Sequence, residues 1–147
     1  MTQLADTQSA HHIQPVYRIL VADDEPDLLS EVTGYLRRRG QLVIEATSFS
    51  EAIRAYNDNA RSIALVVTDV HMPDGDGIDL ARFVIESSQG ACPCLLMTAH
   101  FDRDRLAPDL RAAGVRVIDK PFGLSVLYAL VLSTLATADK TERPYVA

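Results

Sequence analysis

The chain alternates between short apolar runs and longer stretches of helical period. Five runs stand out, Tyr17 to Ala22, Leu42 to Ala46, Ile63 to Val67, Cys94 to Met97 and Val115 to Ile118, each with the length of a strand. Four are nearly continuous in Val, Ile, Leu and Ala, the pattern of parallel strands covered by helices on both faces. The run from Leu42 is more mixed, as at the edge of a sheet. Between the runs, Leu28, Leu29, Val32, Tyr35 and Leu36 form one helical stripe, opened by Pro26 in a first-turn position and closed by Gly40. Ser48 and Glu51 have capping-box spacing ahead of Ala52, Ile53 and Tyr56. A third helix carries Ile78, Ala81, Phe83, Val84 and Ile85 and ends near Gly90. For the fourth there are two readings: Pro108 begins a short helix reaching Ala113, or it kinks a longer one starting near Asp102.

The last helix is expected from about Gly123 to Ala136. Leu124, Leu127, Tyr128, Val131 and Leu135 share the face that should pack on the sheet. Val126, Ala129 and Leu130 fall opposite, so this helix is apolar where a lone domain meets water. Strands alternating with helices define βα units around a parallel sheet. Residues 1–16 are polar, lack an apolar period and include His11 and His12; they read as a flexible tail. Residues 17–137 then form one domain, and 138–147 a short polar tail.

Charge narrows the choice of partner. The net charge is −6, whereas a nucleic-acid surface gathers Lys and Arg to neutralise phosphates. No stretch approaches the ~18 consecutive apolar residues of a membrane span, and the N-terminus lacks the basic-then-apolar order of a signal peptide. A cytoplasmic protein without nucleic-acid or membrane partners is expected. Cys92 and Cys94 sit two apart in an apolar stretch, where a mutual disulfide would be strained and a metal site would need further ligands. Packed, reduced thiols are the simpler reading.

Ligands of an open parallel α/β sheet gather beyond the carboxyl ends of its strands. The first strand is followed by Asp23, Asp24 and Glu25, the third by Thr68 and Asp69, the fourth by Thr98, and the fifth by Asp119, Lys120 and Pro121. Three carboxylates converging there would repel one another and draw protons. A hard dication relieves that conflict, and Mg2+ favours a few carboxylates together with phosphate oxygens. Such a site suits phosphoryl transfer, which rests on positioning and on neutralising the equatorial oxygens. Asp69 is then the nucleophile, Lys120 a point charge and Thr98 a hydrogen-bond donor to the phosphoryl group. Taken singly, each feature has a blander account. Asp-Asp after a strand is often a capping turn, Met72 to Gly77 is rich in turn formers, and Lys-Pro alone says little. The signal is their joint occurrence, in order, after the right strands.

Four segments, "LVADDEP", "VVTDVHMPDGDGIDL", "LLMTAH" and "VIDKPF", together resemble the receiver domains of two-component response regulators. The resemblance covers about Tyr17 to Ala136. It implies a doubly wound, flavodoxin-like (βα)5 fold with strand order 2-1-3-4-5. It also implies that Asp24 and Asp69 ligate Mg2+ directly, that Asp23 acts mainly through a metal-bound water, that the His71 backbone carbonyl completes the protein ligands, and that the Lys120-Pro121 bond is cis. The implied activity is transfer of a phosphoryl group to Asp69 from the phosphohistidine of a sensor histidine kinase or histidine phosphotransfer protein. The chain would catalyse only its own phosphorylation and dephosphorylation and is not expected to be an enzyme in the wider sense.

This chain departs from the family in three places. Val117 stands where such receivers usually carry an aromatic residue that turns with the hydroxyl of Thr98; Tyr128 and Phe101 are the candidate stand-ins. His71 and His100 occupy positions where the family tunes access of water to the phosphoryl group, and histidine titrates near neutral pH; exposed loop histidines of no special role are the plainer reading. Only eleven residues follow Ala136, so the expectation is a receiver without an output domain, signalling through a protein target or a homodimer at the last helix and its neighbours. Two other classes remain in view. A Mg2+-dependent aspartyl-phosphate phosphatase would need a cap region and an Asp two after Asp69, where His71 stands. A receiver-like module that is never phosphorylated would have no use for Asp23, Asp24, Asp69, Thr98 and Lys120 together.

Overall fold

The computed structural model describes residues 16–99 and 106–139. Five strands, β1 (Arg18–Ala22), β2 (Leu42–Ala46), β3 (Ile63–Asp69), β4 (Cys94–Thr98) and β5 (Arg116–Asp119), form a parallel sheet in the order β2-β1-β3-β4-β5. Helices α1 (Pro26–Arg38), α2 (Phe49–Asn59), α3 (Gly77–Ser88), α4 (Pro108–Ala112) and α5 (Leu124–Asp139) follow the strands in turn. This is the doubly wound fold expected, with the mixed run at Leu42 on an edge.

Alternation along the strands divides the core into two layers. Leu20, Ala22, Val66, Cys94 and Leu96 pack with Ala52 and Tyr56 of α2, Leu80, Ala81 and Val84 of α3, and Leu110 of α4. Ile19, Val21, Leu65, Val67, Leu95 and Met97 pack with Leu29, Val32 and Leu36 of α1 and with Leu127 and Val131 of α5. Both faces of the sheet are therefore covered, which is why its strands read as continuous apolar runs.

The strand limits shift where apolar pattern and hydrogen-bond ladder part company. β1 starts at Arg18 rather than Tyr17, and β5 at Arg116 rather than Val115. β3 and β4 run on to Asp69 and Thr98, because the ladder continues through Asp69 opposite Met97 and Thr98 opposite Asp119. Pro108 opens a five-residue α4, which agrees with the shorter reading; the stretch from Asp102 lies outside the described residues, as do the first fifteen. The Ser48 hydroxyl accepts the Glu51 N–H at 3.1 Å as its spacing foretold, but the Glu51 carboxylate reaches the Thr47 N–H at 2.7 Å, one residue before the cap.

One of the blander accounts falls away and one expectation needs correction. The turn-rich stretch after β3 is not a plain loop: His71–Met72 and Gly75–Asp76 pair as a small antiparallel hairpin, and α3 begins immediately at Gly77. The outward face of α5 is narrower than expected, since Leu130 is half-buried against the core. Val126 and Leu132 are its exposed large side chains. Cys92 and Cys94 are buried and form no disulfide with each other. No described helix is long and apolar enough to cross a membrane.

Candidate functional site

The carboxyl ends of β1, β3, β4 and β5 bring the expected polar residues to one edge. Carboxylate oxygens of Asp23, Asp24 and Asp69 lie within 4.8 Å of one another. Asp23 is fully buried, Asp69 nearly so, and Asp24 half-buried. Lys120 reaches into the cluster: its Nζ lies 3.0 Å from Asp69 Oδ1, 3.7 Å from Asp23 Oδ2 and 3.8 Å from Glu25 Oε1. The backbone fixes that reach, because the Lys120 N–H donates to the Thr98 carbonyl at 2.8 Å and ties the turn after β5 to the end of β4. The Lys120-Pro121 bond is cis, and Pro121 itself is exposed.

Asp23 does two things at once. Its Oδ1 accepts the Glu25 N–H at 2.9 Å, a local turn and not the helix cap that Asp-Asp alone suggests, since Glu25 is the N-cap of α1 and no side chain caps it. Its Oδ2 is buried and has no hydrogen-bond partner among the described residues, the Lys120 Nζ standing 3.7 Å away. A buried acceptor left so is unfavourable by roughly 1–3 kcal/mol, more when charged. Burial, only partly offset by the Glu25 bond and the Lys120 charge, raises the Asp23 pKa to about 6. Burial likewise raises Asp69, against the bond and charge of Lys120, while the Asp24 charge adds to the rise. Burial pulls Lys120 the other way, but its bond to Asp69 and the charges of Asp69, Asp23 and Glu25 outweigh it and hold the ammonium above its ordinary range. Three acidic groups against one lysine thus leave an excess of negative charge and one orphaned oxygen. An all-oxygen donor set of this kind fits a hard dication such as Mg2+.

The remaining predicted residues take up less uniform places. The Thr98 side chain is buried, and its hydroxyl donates to the neighbouring Ala99 carbonyl at 3.0 Å. His71 is exposed in the hairpin, opposite Asp76. His100 and Phe101 lie outside the described residues. Tyr128 does not stand in for the missing aromatic residue. Strand alternation puts Thr98 on the side of Cys94 and Leu96, where Val117 also packs, whereas Tyr128 belongs to the opposite layer. There it meets the Tyr35 ring edge-on at 6.0 Å, and the Arg39 guanidinium lies 3.7 Å from the centre of Tyr35.

Sequence patterning did not single out Gly77 or Asp74. A Cβ on Gly77 would lie 2.0 Å from the Asp69 carbonyl oxygen, so only glycine lets the chain pass this close to β3. Asp74 accepts the Phe49 and Ser50 N–H groups at 2.8 and 2.9 Å. The only trace of either in the sequence is the Asp-Gly-Asp-Gly run, which reads as a turn.

A family model described as the response regulator receiver domain matches residues 19–132. The chain is 33% identical over 119 residues to YrkP, an uncharacterized transcriptional regulatory protein of Bacillus subtilis, covering 81% of this chain and 49% of that protein. It is 32% identical over 111 residues to the transcriptional regulatory protein PdtaR of Mycobacterium tuberculosis, covering 75% of this chain and 52% of that one. Among solved structures, a response regulator receiver domain protein from Clostridium thermocellum aligns with a TM-score of 0.77 at 26% identity, over 85% of this chain and 98% of that one. A receiver protein from Sinorhizobium medicae aligns with a TM-score of 0.71 at 28% identity, over 84% and 97%. The chain belongs to the response regulator receiver domain family of two-component signalling. It spans about half the length of the two curated relatives named.

Proposed function

We propose that this receiver accepts a phosphoryl group on Asp69 from a partner's phosphohistidine, with Mg2+ bound by Asp23, Asp24, Asp69 and the His71 carbonyl. The observation that carries the reading is the pairing of a buried Asp69 with Lys120 beside an Asp23 Oδ2 that no described residue hydrogen-bonds. Bound Mg2+ would supply the positive charge that balances the incoming phosphoryl oxygens. An Asp69 carboxylate oxygen forms the new bond to phosphorus, the phosphorus–nitrogen bond of the donor breaks, and the imidazole leaves with that electron pair. Lys120 first holds Asp69 in place and then shares its ammonium with a phosphoryl oxygen. The Thr98 hydroxyl exchanges the Ala99 carbonyl for the same group. Hydrolysis of the acyl phosphate returns the carboxylate, so the chain acts only on itself.

Access supports a protein donor. A cavity of about 390 Å3 opens beside Lys120, with Leu28, Pro121 and Phe122 as its apolar part and Glu25, Asp27 and Glu31 as its acidic rim. A sensor histidine kinase or histidine phosphotransfer protein would present its histidine there. Output by protein binding is supported by α5, where Val126 and Leu132 are exposed and no charged residue occurs from Leu124 to Ala138. The test is intact mass after incubation with a small phosphodonor and Mg2+. Wild type is expected to gain one phosphoryl group and Asp69→Asn none; no gain in wild type, or equal gain in both, overturns the reading.

A further inference from the structure

The segment between Asp69 and α3 is held from both sides. On one side Gly77 passes against the Asp69 carbonyl, and its own N–H donates to Val70 at 2.7 Å. On the other, a Cβ on Gly75 would lie 2.2 Å from the Phe49 ring, so the hairpin sits directly on the first residue of α2. Between these, Asp74 puts one carboxylate oxygen on the Phe49 N–H and the other on the Ser50 N–H. Those amides are among the four that a helix leaves without internal partners at its start. A third, on Glu51, goes to Ser48. The start of α2 is thus capped from two sources, one local and one 25 residues from Phe49 in sequence. The positive end of the helix favours a carboxylate there, and the bonds from Ser50 and Phe49 lower the Asp74 pKa.

We infer that Asp74 is a positioning residue for the receiver's chemistry, fastening the acceptor loop to the start of α2 so that the His71 carbonyl keeps its place relative to Asp69. The inference rests on the metal and acceptor roles proposed above. The loop is short, and His71 is paired with Asp76 and Met72 with Gly75. A release at Asp74 therefore reaches His71 through a single pair of rungs. Ser48 supplies the control, because its hydroxyl bonds the Glu51 N–H and the Ser50 hydroxyl of the same helix.

The test uses the full chain as wild type, Asp74→Ala, Asp74→Asn and Ser48→Ala, with Mg2+ affinity read by titration calorimetry and folding by thermal melting. Asp74→Ala is expected to weaken Mg2+ binding about tenfold, as loss of a supporting residue behind a ligand does. Asp74→Asn, which retains one acceptor oxygen, should fall between it and wild type. Ser48→Ala should lower the melting temperature while Mg2+ affinity stays near the wild-type value. Wild-type affinity in Asp74→Ala, or an equal loss in Ser48→Ala, overturns the inference. If Asp74→Ala does not fold, the comparison of Asp74→Asn with Ser48→Ala decides, and equal affinities overturn it. Wild type that takes up neither Mg2+ nor a phosphoryl group overturns the proposed function instead.

Discussion

The two ends of the sheet bury ionisable groups with opposite consequences. At the amino end a cavity of about 290 Å3 is lined by Tyr56, Ile63, Ser88 and Cys92 among others. Burial pushes the Tyr56 hydroxyl up to about 12 and raises the Cys94 thiol well above its usual range. Both groups are neutral in neutral water, so burial only deepens a state they already occupy. At the carboxyl end the same effect raises Asp23 to about 6. At neutral pH that group is still ionised, and the unfavourable buried charge remains. One end is stable as it stands, while the other keeps an excess of charge that the proposed Mg2+ would balance.

Substitutions can break this contrast or sharpen it. The largest effect is expected at the amino end. Tyr56 is 2% exposed and meets Phe83 edge-on at 6.0 Å, so Tyr56→Ala should lose about 3–5 kcal/mol in denaturant unfolding. That loss should stay level between about pH 5 and 8, because Tyr56 titrates far above this range. At the carboxyl end the sign reverses. With its folded pKa above the unfolded value of 3.8, Asp23 contributes stability that is present below pH 4 or so and is lost as pH rises through about 6. In a chelator near pH 8, Asp23→Asn should therefore be more stable than wild type by roughly 3 kcal/mol, the gain shrinking towards acid and towards saturating Mg2+. A destabilised Asp23→Asn under chelation would show that the charge is already compensated within the chain. Smallest of all is the exposed pair between Arg82 and Asp109 at 2.7 Å, which links α3 to α4. Arg82→Ala should leave the melting temperature unchanged, since solvent screens such pairs.

The same contrast explains what could be read before folding. Four strands were legible as nearly unbroken apolar runs because helices cover both faces of the sheet, while the edge strand β2, less buried, showed only a mixed run. The acidic edge was legible because each of its residues ends a strand or closely follows one, and strand ends meet in a parallel sheet. Contacts between distant segments left no mark. Asp74 looks like any turn aspartate until α2 is brought against it, and the need for glycine at position 77 arises only when the chain passes Asp69. The hairpin has two residues on each side, too few to show a period. Helical spacing alone points Leu130 outward, yet the core reaches far enough around α5 to bury it in part. The Thr98 hydroxyl bonds the Ala99 carbonyl, a choice of rotamer that sequence does not give.

The pairing of Tyr35 with Tyr128 has a consequence for how this protein can be watched. The chain has no tryptophan, so its intrinsic emission comes from tyrosines. Tyr56 lines the amino-end cavity, Tyr17 stands just ahead of β1 and also lines it, and the other two described tyrosines sit between α1 and α5. The described tyrosines accordingly report on the amino-end cavity and on whether those helices remain clasped, and none of them is among the residues of the acidic edge.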